Sequence, residues 1–253
     1  MPSVALMNIQ RSEHEGGVRL LRIDRPPANA INTEFLSALF AEMEACEADP
    51  AVRAVVVGSA ARFFSAGLDL KEIMAKGPGQ MAALGGAGDG IYRLWRLPKP
   101  TIAMVEGHAL AGGAILMLAC DFRIAVRGSY RIGVTESALG LPLPNGAFQI
   151  ARYALPPQYH HRVLLEGEGF GPERALELGL IHELVEPAAI EARCLALAAK
   201  LGAYPESGYG YQKAKLQAEA NRALLEPPPL GTDRFEATGL TPEAFARLMP
   251  AKI

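Results

Sequence analysis

The sequence has few of the residues that support disulfide-bonded, metal-binding or membrane-embedded proteins. It contains 3 cysteines, at Cys46, Cys120 and Cys194, and 5 histidines in 253 residues. Cysteines so few and so scattered indicate neither a disulfide framework nor a zinc site, so we expect reduced thiols and no metal. No apolar run approaches the ~20 residues that a membrane-spanning helix needs. The N-terminal segment lacks the basic start and apolar stretch of a signal peptide. We therefore expect a soluble, cytoplasmic globular protein.

An excess of charge of either sign is also missing. The chain has 25 lysines and arginines against 27 aspartates and glutamates, for a formal net charge of −2. This balance gives no electrostatic reason to expect nucleic acid or a membrane surface as a partner. Half of the residues (50%) are hydrophobic by type, which is enough to fill a sizeable core.

Strand-like and helix-like segments alternate in the first part of the chain. Residues 4–10 and 18–24 are strand-like and flank a turn-like Glu-Gly-Gly, which predicts a hairpin. Asn32 or Thr33 is expected to cap an amphipathic helix that ends near Ala48. Further strand–strand–helix groups follow, and their rhythm is weakly typical of a spiral of similar units.

Helical patterns dominate after about residue 145. This order predicts an α/β core over residues 1–195 and a helical C-terminal region over residues 196–253. The expected helices cover approximately residues 145–154, 157–165, 172–179, 187–202, 205–225 and 241–248.

Two strand-to-helix turns built from small residues share one predicted geometry. "SAGLDL" (65–70) and "LAGGAI" (110–115) each lead from a strand through Ala-Gly to the start of a helix. The first turn of a helix leaves backbone N–H groups without partners, and glycine lets a bound group come close to them. Side by side, the two turns could aim two N–H donors at one oxygen, as in an oxyanion hole. The alternative is that the glycines only permit tight turns.

Four segments, in this order, resemble the crotonase (enoyl-CoA hydratase/isomerase) superfamily: "FFSAGLDL", "GHALAGGAILMLACD", "IGVTESALGL" and "ERALELGLI". The resemblance runs from about residue 4 to about residue 200. It implies an α/β fold, a spiral of ββα units with a C-terminal helical trimerisation region. It also implies a homotrimer or a dimer of trimers. The implied substrate is a coenzyme A thioester of lipid metabolism, and no separate cofactor is implied.

The resemblance also implies roles for residues on the two turns. The backbone N–H groups of Leu68 and Gly112 would hold the thioester oxygen, and the glycine-rich segment 76–90 would cover the acyl chain. Arg25 would lie either near the nucleotide phosphates or on the surface as an ordinary arginine. The implied substrate-binding residues are Ala66, Gly67, Leu68, Asp69, Leu70, Gly112 and Ile115.

Residues 115 and 136 separate two reactions of this superfamily. The resemblance implies that hydratases carry two glutamates, one where this chain has Ile115 and one where it has Glu136. Hydration needs an activated water and a delivered proton, and Ile115 can supply neither. A double-bond shift from 3-enoyl-CoA to 2-enoyl-CoA needs one acid–base group, so Glu136 would move a proton from C2 to C4. The pattern resembles that of the Δ3,Δ2-enoyl-CoA isomerases.

Other functions stay open at this point. The chain could be an enoyl-CoA hydratase or another lyase or hydrolase of the crotonase type, or an acyl-CoA-binding protein without activity. Glu136 could also be a first-turn helix residue that is favoured by the helix dipole.

Several polar residues have structural explanations. His108 is expected to be packed and hydrogen-bonded, while Asp69 and Asp121 are expected to cap or brace neighbouring elements. Lys213 and Lys215 are expected on a solvated helix face. Phe235 lies in the tail and receives no role.

Overall fold

Two β-sheets of different size form the centre of the protein. The computed structural model describes residues 4–6, 8–76 and 90–225. In this part of the chain, the large sheet has the order β1 (Val4–Leu6), β2 (Ile9–His14), β3 (Val18–Ile23), β4 (Ala54–Ser59), β6 (Thr101–Val105), β8 (Phe122–Val126) and β10 (Glu183–Val185). The small sheet has the order β5 (Phe63–Ser65), β7 (His108–Leu110) and β9 (Ile132–Gly133).

The expected N-terminal hairpin is confirmed with one change. β2 and β3 pair antiparallel across a turn in which Gly16 and Gly17 have φ values of +75° and +71°. The segment predicted as one strand is divided into β1 and β2, which pair antiparallel around Asn8 at φ +66°. From β3 onward, neighbouring strands of the large sheet run parallel.

Ten α-helices lie within the described residues. They are α1 (Thr33–Ala48), α2 (Leu70–Lys76), α3 (Gly90–Arg96), α4 (Gly112–Leu118), α5 (Glu136–Leu139), α6 (Asn145–Ala154), α7 (Pro172–Glu177), α8 (Ile190–Gly202), α9 (Glu206–Leu216) and α10 (Ala218–Leu225). The predicted cap of α1 is confirmed, because the Asn32 side chain accepts a hydrogen bond of 2.8 Å from the N–H of Phe35. None of the described helices is long and apolar enough to cross a membrane.

The predicted spiral of ββα units is confirmed by three successive units. In each unit, the first strand joins the large sheet, the second joins the small sheet, and a helix follows. The units are β4–β5–α2, β6–β7–α4 and β8–β9–α5. β4 and β6 are buried along their whole length, which places the core between the two sheets and the helices that cover them.

The C-terminal half departs from the sequence prediction in several places. The expected helix over 205–225 is two helices, α9 and α10, and the expected helix over 157–165 is a 3₁₀ turn at Pro157–Tyr159 followed by a π-helix at His161–Leu165. The strand β10 was not predicted. Residue 195, where we expect the core to end, lies in α8, which packs on β4 and β6, and the division of the chain there stays a prediction. The expected helix over 241–248 and Phe235 lie outside the described residues.

A buried ion pair attaches α9 to the large sheet, so the prediction of a solvated face is wrong for Lys213. The Lys213 side chain is 5% exposed, and its Nζ lies 2.9 Å from Asp121 Oδ1. Asp121 also accepts hydrogen bonds from the N–H of Thr101 and the hydroxyl of Tyr209, both at 3.0 Å. The structural role that we expected for Asp121 is therefore confirmed. Lys215, in contrast, is exposed, as expected.

Replacing the carboxylate of this pair tests how firmly α9 is held. We expect Asp121→Ala to lower the free energy of unfolding by about 3–5 kcal/mol, because the Lys213 ammonium would stay buried without its partner. The measurement is urea denaturation of both proteins. Glu177→Ala is the control, because it breaks an exposed pair with Arg174 and should change the same quantity by about 0–1 kcal/mol. Equal losses in the two variants would contradict the role given to Asp121.

Candidate active site

Three loops meet at one edge of the small sheet. β5, β7 and β9 run parallel, so their carboxyl ends lie on the same side. The chain leaves these ends as residues 66–69, 111–112 and 134–136. The N–H of Ala111 donates to the carbonyl of Gly133 at 3.0 Å, which holds the second and third loops together. The carboxyl edge of parallel strands is where α/β proteins commonly bind ligands.

The first loop, residues 66–69, is fixed on both sides of Leu68. The N–H of Ile31 donates to the carbonyl of Gly67, and the N–H of Asp69 donates to the carbonyl of Ile31, both at 2.7 Å. Gly67 has φ +93°, a conformation that disfavours a side chain. Among the hydrogen bonds of the described residues, none uses the N–H of Leu68.

The second loop comes close to the first at its glycines. A Cβ added to Gly67 would lie 3.1 Å from the nitrogen of Gly112, and one added to Gly112 would lie 3.6 Å from the nitrogen of Leu68. The N–H of Gly112, at the start of α4, has no acceptor in the part of the chain that the structure describes. The predicted pair of N–H donors, Leu68 and Gly112, is thus brought together.

The third loop carries Glu136 as the first residue of α5. The residue is 9% exposed, and its Oε2 is buried without a hydrogen-bond partner. Burial raises the pKa of the Glu136 carboxyl to about 7, and hydrogen bonds from the backbone of Glu136 and Thr135 oppose part of this shift. A carboxyl with this pKa exchanges a proton readily near neutral pH.

The other carboxylate on the three loops, Asp69, is already engaged. Its Oδ2 pairs with Arg25 at 2.6 Å, and its Oδ1 accepts from the N–H groups of Lys71 and Glu72 at 3.0 and 3.3 Å. This is the capping role that we expected for Asp69. Arg25 also donates to the carbonyl of Ala30, so it braces the loop before α1 and is no ordinary surface arginine.

The remaining residues assigned to substrate binding lie on or directly after these loops. Ala66 donates its N–H to the carbonyl of Ala28 at 2.9 Å, and Leu70 begins α2. Ile115 is 3% exposed and lies in the first turn of α4. Because it follows Gly112 by three positions, it shares the helix face of that residue. Residues 77–89 of the glycine-rich segment lie outside the described residues.

His108 is packed in the way that the sequence predicts. Its ring stacks on Phe63 with the centroids 4.6 Å apart, and its Nδ1 accepts a hydrogen bond of 3.2 Å from the N–H of Arg131. Burial is the main cause that lowers the pKa of His108. Within the described ranges, no group of three or more His, Cys, Asp or Glu side chains could hold a metal ion.

Sequence reasoning missed Asn29, which fixes the strand β5 that leads into the first loop. Asn29 is 1% exposed, and its Nδ2 donates to Ser59 Oγ at 2.7 Å and to the carbonyl of Phe63 at 2.8 Å. Its own carbonyl accepts from Ser65 Oγ at 2.8 Å, directly before the Ala-Gly turn. The sequence around Asn29, Pro-Pro-Ala-Asn at residues 26–29, gives no sign of these contacts.

Comparison with known proteins gives matches over most of the chain. Residues 13–242 match the family model for enoyl-CoA hydratase/isomerase. The chain is 30% identical over 217 residues to enoyl-CoA delta isomerase 1, mitochondrial, of Rattus norvegicus, covering 85% of this chain and 75% of that protein. It is 35% identical over 187 residues to a probable enoyl-CoA hydratase of Bacillus subtilis, covering 72% of each.

Solved structures agree with this assignment. An enoyl-CoA hydratase/isomerase from Xanthobacter autotrophicus Py2 superposes with a TM-score of 0.81 at 30% identity, covering 96% of this chain and 91% of that one. The names of the similar proteins thus include both an isomerase and a hydratase. The sequence match, the spiral fold and the three-loop site show that the chain belongs to the enoyl-CoA hydratase/isomerase family.

Proposed function

We propose that the protein isomerises 3-enoyl-CoA to 2-enoyl-CoA by a 1,3-proton transfer. The observation that carries the proposal is the state of the Glu136 carboxyl. It is buried, its Oε2 has no hydrogen-bond partner, and its pKa is raised to about 7. Asp69, the other carboxylate on the loops at residues 66–69, 111–112 and 134–136, is paired with Arg25. One free carboxyl is sufficient for moving a proton between two carbons of the same substrate.

The reaction uses Glu136 first as a base and then as an acid. The carboxylate removes a proton from C2, which the thioester and the C3–C4 double bond both acidify. The electron pair left at C2 moves into the thioester carbonyl and gives a dienolate. The carboxylic acid then returns the proton to C4, so the double bond lies between C2 and C3 and no other atom is gained or lost.

Leu68 and Gly112 are proposed to stabilise the dienolate. Their N–H groups have no acceptor among the described residues and are brought together by the close approach of Gly67 to Gly112. A donor aimed at an oxygen on which negative charge develops can lower the barrier by about 3–4 kcal/mol. In the proposed reaction, coenzyme A is part of the substrate and no separate cofactor takes part.

Ile115 favours isomerisation over hydration. It is buried in the first turn of α4, where a hydrocarbon side chain can neither orient nor deprotonate a water. Glu136 alone would have to activate the water and also deliver the proton. Hydratase activity is the main competing function, and a binding protein without activity is the second.

An absorbance assay with two substrates tests the proposal. With 3-hexenoyl-CoA, we expect the absorbance of a conjugated enoyl thioester to grow. With crotonyl-CoA, we expect this absorbance to persist. Loss of the crotonyl signal without any gain from 3-hexenoyl-CoA would overturn the proposal in favour of hydration. Tight acyl-CoA binding with neither change would favour a binding protein.

Glu136→Gln tests the role of the carboxyl. The amide has nearly the same shape and cannot carry the proton, so we expect kcat to fall by about 10²–10⁴-fold. The Kd for hexanoyl-CoA should stay within about twofold, because the donors that hold the thioester are on the backbone. Glu206→Gln is the matched control, because Glu206 is also the first residue of a helix but is exposed. A Glu136→Gln enzyme with most of its turnover would place the base elsewhere.

The rate should depend on pH through Glu136. The active form is the carboxylate, so kcat/KM is expected to fall about tenfold per pH unit below a pH of about 7 and to level off above it. A carboxyl with an ordinary pKa would keep its activity down to a pH of about 4–5. Rates measured between about pH 5.5 and 8.5, with far-UV circular dichroism as a folding check, decide between the two. A flat profile would contradict the raised pKa.

A further inference from the structure

We infer that Ser137 is a positioning residue that holds the Glu136 carboxyl in its buried place by tying α5 to the carbonyl of Leu164. The inference deepens the proposed function and rests on it for the catalytic role of Glu136. It does not require Ser137 to touch the substrate.

α5 is too short to be stable by itself. It has 4 residues, Glu136–Leu139, and Thr135 provides no side-chain cap at its N-terminus. Helices of this length do not form in isolation, because nucleation costs more than one turn of hydrogen bonds returns. Its end is closed by the N–H of Leu141, which donates to the carbonyl of Glu136 at 3.0 Å. The position of the helix must therefore come from tertiary contacts.

The main polar tertiary contact of α5 comes from the residue next to Glu136. The hydroxyl of Ser137 donates to the carbonyl of Leu164 at 2.6 Å across 27 positions of sequence. Leu164 is buried and belongs to the π-helix His161–Leu165, a rare type of helical turn that often occurs at functional sites. The hydroxyl thus ties the four-residue helix α5 to a segment that is distant in sequence.

The chain around Leu164 supports the third loop on both sides of Glu136. Before Glu136, Ile132 and Phe170 exchange two backbone hydrogen bonds of 2.9 and 2.8 Å. After it, Gly167 at φ +65° packs so closely that a Cβ there would lie 2.5 Å from the nitrogen of Ala138. Residues 164–170 therefore form a cradle for the segment that carries the carboxyl.

Charged groups of this cradle and of the residues directly before it are not among the causes of the raised pKa of Glu136. His161, Arg162, Glu166 and Glu168 are all exposed, and Arg162 pairs with Glu166 at 2.8 Å. The causes of the raised pKa of Glu136 are burial, which raises it, and two backbone hydrogen bonds, which lower it. A small displacement of α5 that admits water would therefore change both the position and the protonation of the carboxyl.

Ser137→Ala tests the inference, with Ser137→Thr as the rescue variant. We expect the alanine variant to have a kcat about tenfold lower, since a misplacement of a catalytic group by about 1 Å can lower the rate by up to 10²-fold. Its KM should stay within about twofold of the original value. The fall of its kcat/KM on the acid side of the pH–rate profile should move to lower pH, because a hydrated carboxyl has a lower pKa. The threonine variant keeps the hydroxyl and should recover at least half of kcat. The control Ser37→Ala removes a similar bond, from Ser37 Oγ to the carbonyl of Thr33 at 3.0 Å, and should change nothing.

A direct titration separates this inference from the proposed function. Carboxyl ¹³C NMR, with Glu136→Gln used to assign the signal, reads the pKa of Glu136 without any turnover. We expect Ser137→Ala to lower this pKa. Retained activity in Glu136→Gln would overturn only the proposed function, and the pKa of Glu136 should still fall in Ser137→Ala. An unchanged titration in Ser137→Ala would overturn the inference. Equal loss of kcat in the alanine and threonine variants would also overturn it, because the hydroxyl would then have no part.

Discussion

An enclosed ionisable side chain with an oxygen that has no hydrogen-bond partner destabilises the fold that encloses it, and Glu136, with its Oε2, is such a side chain. A pKa of about 7 instead of 4.5 corresponds to a cost of the order of 3 kcal/mol for the ionised form. Because the folded-state pKa is raised, this cost is fully present above a pH of about 7. It disappears as the pH falls toward the value of the unfolded chain. Buried groups with a strongly shifted pKa are common at sites where a group must react.

The three ββα units explain how one site is assembled from distant parts of the chain. Each unit gives its second strand to the small sheet, so the chain leaves β5, β7 and β9 at the same edge. The first two exits supply the N–H groups of Leu68 and Gly112, and the third supplies Glu136. Gly67 lets the first two loops touch, since a Cβ there would lie 3.1 Å from the nitrogen of Gly112, and Gly113 lets α4 approach β5, since a Cβ there would lie 2.2 Å from the carbonyl oxygen of Ser65. The donors therefore depend on backbone geometry more than on side chains.

Local patterns in the sequence were sufficient for much of the fold, whereas the candidate site residues came from the resemblance to the crotonase superfamily. Asn32 caps α1, the Glu-Gly-Gly turn forms a hairpin, and His108 is packed, because each of these depends on neighbours in sequence or on simple burial. Lys213 was assigned wrongly, because its partner Asp121 is 92 positions away and nothing in a helix pattern reveals such a pair. The strand β10 has three residues, Glu183–Val185, too few for a periodic signal. The bond from Ser137 to Leu164 likewise joins two short helical segments whose approach only the folded chain defines.

The central claim is that one enclosed carboxyl, Glu136, carries the proton from C2 to C4. A 3-enoyl-CoA with deuterium at C2, turned over once in ordinary water, tests it most directly. Because the carboxyl is 9% exposed, exchange with solvent should be slow, and the account predicts that deuterium removed from C2 reappears at C4 in part of the product. Product that carries only solvent hydrogen at C4 would contradict the account, because the proton would then come from water or from a second acid.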